Sequence, residues 1–493
     1  MTGGTEPDAH RLVLRGALAT GAGFVVKMGA RLGFLLMAGW LFGAAAFGAY
    51  SLGVAVVESG VGLAGLSLKK LLFQWLDANE SKGEERRPPL HVVADAAVLV
   101  LTASSVLALA IMTVTALVVG GLPRTGAGAA LFWLAPMIAG QTLVDVLLAA
   151  SRWRGAIRYE VVGRSIVEPY TQLAVAAAGW AAGVPGWALI AGYWAGNLTV
   201  NAYALLGIQR SFGGGGLAGY WPERRRLLRL ARSLAPNTAT DLLAGVYARL
   251  DLYVVGLVLG TRWAGIYSMA QQLCTPVRQI RQSFDGLLVP LVARTVAVRG
   301  SAAAGAALAS AARLVLAIQL PVVLALFTVG APLLDLFGPG FAAAWAALVL
   351  LAAAEAVQAA FGTADLLFVY LNPRVGLAQT AVGIAVGAGT ALLLLPVLGI
   401  TGAALAVLAG YLVRAAMRAW TLRRRFAVTV PLAHPAGPFL AAALSVGAVL
   451  LARPLGDLAA LAAGLSAYAA VMLVWLRVTG ESLKLTGFEA PAR

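Results

Sequence analysis

Charged residues are scarce in this chain, and cysteine and histidine are nearly absent. Asp, Glu, Lys and Arg make up 12% of the 493 residues, where an ordinary soluble domain carries about 25%. The single cysteine, Cys274, excludes an internal disulfide, and its apolar neighbours predict a small buried side chain rather than a reactive thiol. The three histidines, His10, His91 and His434, have no metal-ligand spacing, so no metal site is expected. No phosphate-binding loop is present either, because Gly213–Gly216 is not followed by Lys and Ser or Thr. That removes the sequence basis for nucleotide-driven work.

What the chain has in abundance is apolar sequence. Hydrophobic residues make up 60% of it, and the mean hydropathy is +0.84, the composition of a polytopic membrane protein. Runs of roughly 20 apolar residues cross a bilayer as helices. Fourteen are predicted, at 12–39, 47–68, 92–120, 129–150, 165–183, 187–208, 233–259, 264–291, 312–336, 341–370, 376–397, 401–420, 436–452 and 457–476. The first is too long for a signal peptide, and Lys27 and Arg31 interrupt it, so it reads as a retained helix.

The net charge of +16 would by itself suggest nucleic acid, but its distribution assigns it to orientation. With a cytoplasmic N-terminus, 27 of the 37 Lys and Arg residues fall on the cytoplasmic side, three (Arg124, Arg262, Arg453) fall outside and seven fall within spans. This asymmetry is the positive-inside rule; it predicts both termini in the cytoplasm and no nucleic-acid partner. Cationic loops are expected to lie against anionic lipid headgroups. The outer loops are short turns without histidine, unsuited to a membrane polymerase or ligase with catalytic Arg or His on an external loop, so no enzyme activity is expected.

The same pattern is written twice. Gly48-Ala49-Tyr50-Ser51 returns as Gly265-Ile266-Tyr267-Ser268, and Gly183-Val184-Pro185-Gly186 returns as Gly399-Ile400-Thr401-Gly402, at offsets of 217 and 216. Ala30-Arg31-Leu32 returns as Ala248-Arg249-Leu250 at offset 218. Duplicated helix blocks are a common construction of secondary transporters, where two similar bundles rock about a site between them. The expected architecture is all-α: two pseudo-symmetric six-helix lobes, residues 1–220 and 221–425, around a central cavity, with two extra helices and a tail at 426–493.

Charges at bilayer depth cost about 2.5–3.5 kcal/mol each on insertion scales, so each calls for an explanation. The basic set is Lys27, Arg31, Arg249, Arg278, Arg281, Arg414 and Arg418. The last two lie toward the cytoplasmic end and can snorkel. The other five are candidates to bind an anionic substrate, Lys27 and Arg31 sharing a helix face and Arg278 following Pro276, which is expected to kink its helix. The acidic set includes Glu58, Asp145, Glu168, Asp241, Asp251, Asp285, Glu355 and Asp365. Asp241, Asp251 and Glu355 are candidates to bind a coupling ion, H+ or Na+; no other cofactor is expected. Structural ion pairing between the two sets is the competing reading, with Asp241 or Asp251 as partners for Arg249. Trp180, Trp187, Trp221, Trp263 and Tyr220 read as an interfacial belt, and Gly383, Gly387 and Gly389 as helix-packing positions.

Phe47-Gly48-Ala49-Tyr50-Ser51-Leu52, Arg249-Leu250-Asp251, Gly265–Ala270, Leu336–Phe341 and the two glycine turns resemble the multidrug/oligosaccharidyl-lipid/polysaccharide exporter superfamily. Within it the chain resembles bacterial polysaccharide-type flippases. That resemblance implies alternating-access translocation of an undecaprenyl-diphosphate-linked oligosaccharide across the bacterial inner membrane for surface polysaccharide biosynthesis. Its implied partners are the lipid-linked glycan, membrane lipids and other polysaccharide-assembly membrane proteins. A peptidoglycan-precursor flippase and an ion-coupled drug or cation exporter are the alternatives; the second needs an acidic interior with little arginine.

Overall fold

In hydrocarbon every backbone N–H and C=O must be satisfied within its own segment, which favours helix. The computed structural model is accordingly helical, with no strand among the described residues. It describes residues 26–81, 87–213, 217–362, 368, 373–425 and 433–480. Residues 12–25 of the first expected span, the glycines at 214–216 and Asp365 lie outside the described residues, as do the side chains of Asp241 and Asp285.

Contacts divide the chain into two units, Met1–Arg249 and Leu250–Arg493. The first begins with α1 (residues 26–37), a π-helical turn Ala38–Phe42 and α2 (Gly43–Ala64). Gly43, at φ 75°, breaks the path between α1 and α2, a conformation that glycine adopts without steric cost. Then come α3 (Leu68–Glu80), α4 (Pro89–Val119), α5 (Gly126–Leu134), α6 (Met137–Trp153) and α7 (Arg158–Val162). A second π-helical turn, Gly163–Val167, leads into α8 (Glu168–Ala181), α9 (Pro185–Phe212) and α10 (Arg224–Tyr247). The repeat makes α10 the opening helix of the second copy, whereas by contact it groups with the first unit, because it packs on α2.

The second unit holds α11 (Leu250–Leu259), α12 (Thr261–Leu273) and α13 (Thr275–Asp335), the last broken at Gly300. A 3-10 turn, Phe341–Ala344, precedes α14 (Trp345–Gly362); α15 (Pro373–Leu398), α16 (Ile400–Arg425), α17 (Ala433–Ala452) and α18 (Asp457–Thr479) follow. The two glycine turns occupy matching places. Gly183 (φ 78°) joins α8 to α9 and Gly399 (φ 57°) joins α15 to α16, and each of these hairpins is the most extensive helix pair of its unit.

The expected spans fall mostly on helix where they are described, with turns interrupting them at 65–67, 135–136, 248–249 and 274. Eight helical stretches among the described residues are long and apolar enough to cross a membrane, or nine if the bent pair α5 and α6 counts as one span. Val26–Ala64 counts once in that tally although two spans were expected there, and α8, α11 and α12 are short, at 14, 10 and 13 residues.

Small residues bring helix backbones together in both units. A Cβ on Gly192 or Gly196 of α9 would meet the α8 carbonyl oxygens of Gln172 or Glu168 at 2.7 and 2.8 Å, a small-xxx-small contact. In α15, Gly383 leaves room for the Arg414 stem and Gly387 faces the Ala406 carbonyl, while Gly389 meets nothing within 4 Å. Arg414 and Arg418 themselves are 7% and 2% exposed. They are buried in protein, which corrects the expectation that they snorkel to the interface.

Candidate substrate and ion sites

In the first unit the polar residues converge on α2, α6, the second π turn, α8 and α9. Gly140 on α6 presses against Asn197 of α9, and Asn201 Nδ2 donates to the Gly140 carbonyl at 3.0 Å. This contact fixes the next residue, Gln141, facing the π turn. Arg164, within that turn, donates to Gln141 Oε1 at 2.8 Å, to Asp145 Oδ1 at 2.6 Å and to Glu168 Oε2 at 2.9 Å. Gln141 Nε2 closes the ring by donating to Glu168 Oε1 at 2.9 Å. One guanidinium thus holds two carboxylates and an amide, its planar fork directing donors to all three. Tyr193 of α9 adjoins this cluster and also Glu58 of α2, and Glu58 forms an ion pair with Arg249. The pairing of Arg249 is thus with Glu58, whereas Asp241 or Asp251 was expected; the Asp241 side chain lies outside the described residues. Glu58 lies 191 positions earlier in the chain than Arg249, beyond the reach of helix spacing.

Lys27 and Arg31 lie one turn apart on α1, Lys27 exposed and Arg31 half-buried. Tyr170 of α8 donates to the Val26 carbonyl at 3.2 Å, and Gly33 meets Leu173, so α1 runs along α8.

In the second unit the chain breaks at Cys274, which is buried, and Pro276 falls in the first turn of α13. There a missing N–H costs nothing, so Pro276 starts a helix where a mid-helix kink was expected. Arg278, one turn further in, donates Nε to Glu355 Oε1 of α14 at 2.7 Å; its side chain is 33% exposed and that of Glu355 is 6% exposed. A candidate substrate cation and a candidate ion-coupling carboxylate are thus one pair. Arg281, three residues on, shares the Arg278 face and is half-buried. Asp251, in the first turn of α11, accepts from Tyr267 Oη at 2.6 Å, Gln271 Nε2 at 2.8 Å and the Leu252 N–H at 2.9 Å. Asp241 lies in α10 of the other unit.

A further duplication emerges here. Tyr50 and Tyr193 meet at 6.2 Å between ring centroids, while Tyr267 lies close to Tyr411. Tyr50 and Tyr267 are 217 positions apart, and Ala191-Gly192-Tyr193 matches Ala409-Gly410-Tyr411 at offset 218. This motif was available in the sequence. The Arg164 cluster was not, because Arg164 borders a basic loop and reads as a flanking charge.

The architecture matches solved structures along nearly its whole length. The lipid II flippase MurJ, in an inward closed conformation, superposes with a TM-score of 0.71 at 12% identity, covering 94% of this chain and 100% of that one. An inward-facing multidrug resistance MATE family transporter of the MOP superfamily gives 0.57 at 14% identity, covering 82% and 94%. The fold is that of the MOP-superfamily transporters. A MOP-superfamily transporter from Pyrococcus furiosus, described by a reversed polarity of its binding pocket, gives 0.54 at 14% identity, covering 84% and 95%. Residues 164–349 match the model of a family described as polysaccharide biosynthesis protein, a stretch that begins at Arg164 and includes Arg278. No curated protein matches by sequence. Among the described residues of this MOP fold, no group of His, Cys, Asp and Glu is placed to hold a metal ion.

Proposed function

We propose that this multi-pass membrane protein is a flippase for a lipid-linked glycan, carrying a polyprenyl-diphosphate headgroup across the bacterial inner membrane by alternating access, with both termini in the cytoplasm. The observation that carries the reading is Arg278. It is a guanidinium in an expected membrane span, with one nitrogen on Glu355 and a third of its side chain exposed, inside the stretch that matches a polysaccharide-biosynthesis family. A diphosphate cannot enter hydrocarbon unaided, while its polyprenyl tail never leaves it. Guanidinium groups that remain charged at any working pH meet that need. Arg31, then Lys27 and Arg249, serve the first unit in this reading, and Arg278, then Arg281, serve the second. The cycle is driven by H+ or Na+ at Asp251, Asp241 and Glu355, since moving one charge through 100 mV is worth about 2.3 kcal/mol. Protonation or ion binding at Glu355 would release Arg278 to the substrate, so that one pair couples both events.

A second reading has its own support: the whole length of a lipid II flippase is covered by this chain, which fits a peptidoglycan-precursor substrate. Complementation decides between them. Arg31→Ala and Arg278→Ala are expected to abolish rescue of a strain lacking a polysaccharide flippase while membrane levels stay normal. Full rescue by both variants overturns the cationic mechanism, and rescue only of a strain lacking the peptidoglycan-precursor flippase selects the second reading.

A further inference from the structure

A second cluster of cations stands apart from these residues, where α6, α7 and the end of α9 meet. Tyr159 of α7 is 2% exposed. Its ring lies 5.5 Å from that of Tyr203 and over Gly207, where a Cβ would come within 2.9 Å of it. A glycine at 207 is what allows the ring to seat against α9. The phenol oxygen accepts from Arg158 NH2 at 3.0 Å, and Arg210, one turn beyond Gly207, lies beside it. Burial would raise the Tyr159 phenol, yet the hydrogen bonds and charges of Arg158 and Arg210 outweigh it and hold the phenol below the usual tyrosine range. Arg154 lies 5.2 Å from the Trp153 ring and 4.9 Å from the Phe212 ring, and those two rings are stacked at 6.4 Å.

All three arginines are exposed, and among the described residues their contacts are a phenol and two aromatic faces, with no carboxylate. The acids nearby are already engaged: Glu160 pairs with Arg152 at 3.0 Å, and Asp77 accepts from Trp153 Nε1 at 2.8 Å. Two guanidinium groups beside one phenol oxygen, with a third lying against adjacent rings, form a cationic cradle. Planar forks match phosphate oxygens. Ile157, at 45% exposure, and the Trp153–Phe212 shelf add the apolar border that a lipid would need. The basic-rich end of the unit is the cytoplasmic one by the positive-inside rule, where anionic headgroups concentrate.

We propose that Arg154, Arg158 and Arg210 form a binding site for a lipid-borne phosphate at the cytoplasmic surface of the first unit, separate from the residues assigned to translocation. The site stands whichever substrate the protein carries. Its lipid is either an anionic phospholipid of the leaflet or a polyprenyl diphosphate, and the experiment separates the two. Purified full-length protein is titrated with phosphatidylglycerol, with a polyprenyl diphosphate and with inorganic pyrophosphate, and retained ligand is counted by native mass spectrometry. Arg158→Gln with Arg210→Gln is expected to weaken lipid retention about tenfold or more, as the loss of two charge-assisted contacts implies. Arg158→Lys with Arg210→Lys, which keeps charge and loses the forks, falls between, and Arg224→Gln leaves retention unchanged. Unaltered gel-filtration profiles exclude misfolding as the cause. Preferential retention of phosphatidylglycerol or of the diphosphate lipid supports the site and names its source. Equal retention by wild type and the double Gln variant, or binding of pyrophosphate without either lipid, overturns it.

Discussion

The two units carry one aromatic frame and two different charge arrangements. Tyr50 with Tyr193 and Tyr267 with Tyr411 stand in corresponding positions, but their oxygens do opposite things. Tyr50 accepts from Gln172 Nε2 at 2.5 Å, while Tyr267 donates to Asp251 at 2.6 Å. In the first unit one arginine holds two carboxylates, and Arg164, Asp145 and Glu168 together carry excess negative charge. In the second, arginine and glutamate pair one to one, and Asp251 is held by neutral donors and a backbone N–H. Duplication has preserved shape, in rings, glycines and turns, and let charge diverge. A cluster held together by an arginine is set up to be permanent, whereas a carboxylate held by a hydroxyl and an amide can exchange those donors for a cation at less cost. Under the proposed ion coupling, Asp251 is therefore better suited to reversible exchange than the carboxylates of the Arg164 cluster, which suit structural locking.

The comparison breaks most readily at Arg164. Arg164→Ala leaves two largely buried carboxylates without their cation, so thermal unfolding in detergent should show a loss of about 3–5 kcal/mol, and Arg164→Lys a smaller one. Unfolding indistinguishable from wild type would mean that the first unit is not locked there. Next comes the coupling of Arg278 with Glu355. A double-mutant cycle with Arg278→Ala and Glu355→Ala should return an interaction of about 1–3 kcal/mol, reduced by the exposure of Arg278, and additive losses would deny the pair its role. The tyrosines sharpen the contrast further. Tyr267→Phe removes a hydrogen bond to a charged group, worth about 1.5–3 kcal/mol, and Tyr50→Phe one from a neutral amide, worth about 0.5–1.5 kcal/mol; the reverse order of destabilisation would contradict the assignment of donors.

The smallest effect concerns the surface end of the first unit. There Asp95, 1% exposed, accepts from Arg87 at 2.9 Å, Arg226 at 2.7 Å and Tyr220 at 3.0 Å. Burial, followed by the hydrogen bond to Asp95 and its negative charge, pushes the Tyr220 phenol up to about 12. A raised folded-state value means that the contribution is intact below the unfolded tyrosine value of about 10 and is lost as pH rises through 12. Stability measured from pH 9 to 12 should decline more steeply in wild type than in Tyr220→Phe. Identical slopes would remove Tyr220 from the cluster and return it to the interfacial belt, where the sequence had put it beside Trp221, which is 81% exposed.

Helix positions and the duplicated turns were legible because hydropathy and local spacing encode them directly. Partners were harder to read. Glu58 with Arg249, and Glu355 with Arg278, join residues from helices distant in sequence, and no periodicity connects them. Arg164 was missed for a different reason: its neighbours suggest a basic loop, and only the approach of α6 to α9 at Gly140 brings Gln141 and Asp145 to it. Likewise Pro276 is a kink or a helix start depending on whether Cys274 ends the preceding helix, which tertiary packing decides.

The π turn at Gly163–Val167 has a consequence for phase. An i→i+5 turn accommodates one residue more than the α-helix around it, and at 3.6 residues per turn one residue is a rotation of about 100°. Everything downstream in α8 is therefore clocked by that extra residue: Glu168 toward Gln141, Gln172 toward Tyr50, and the backbone stripe on which Gly192 and Gly196 rest. Removing Ile166, which is 43% exposed and engages in none of these contacts, would leave the side chains of that network chemically intact and turn the α8 face away from them. For this helix the length of the segment carries information that no single side chain holds.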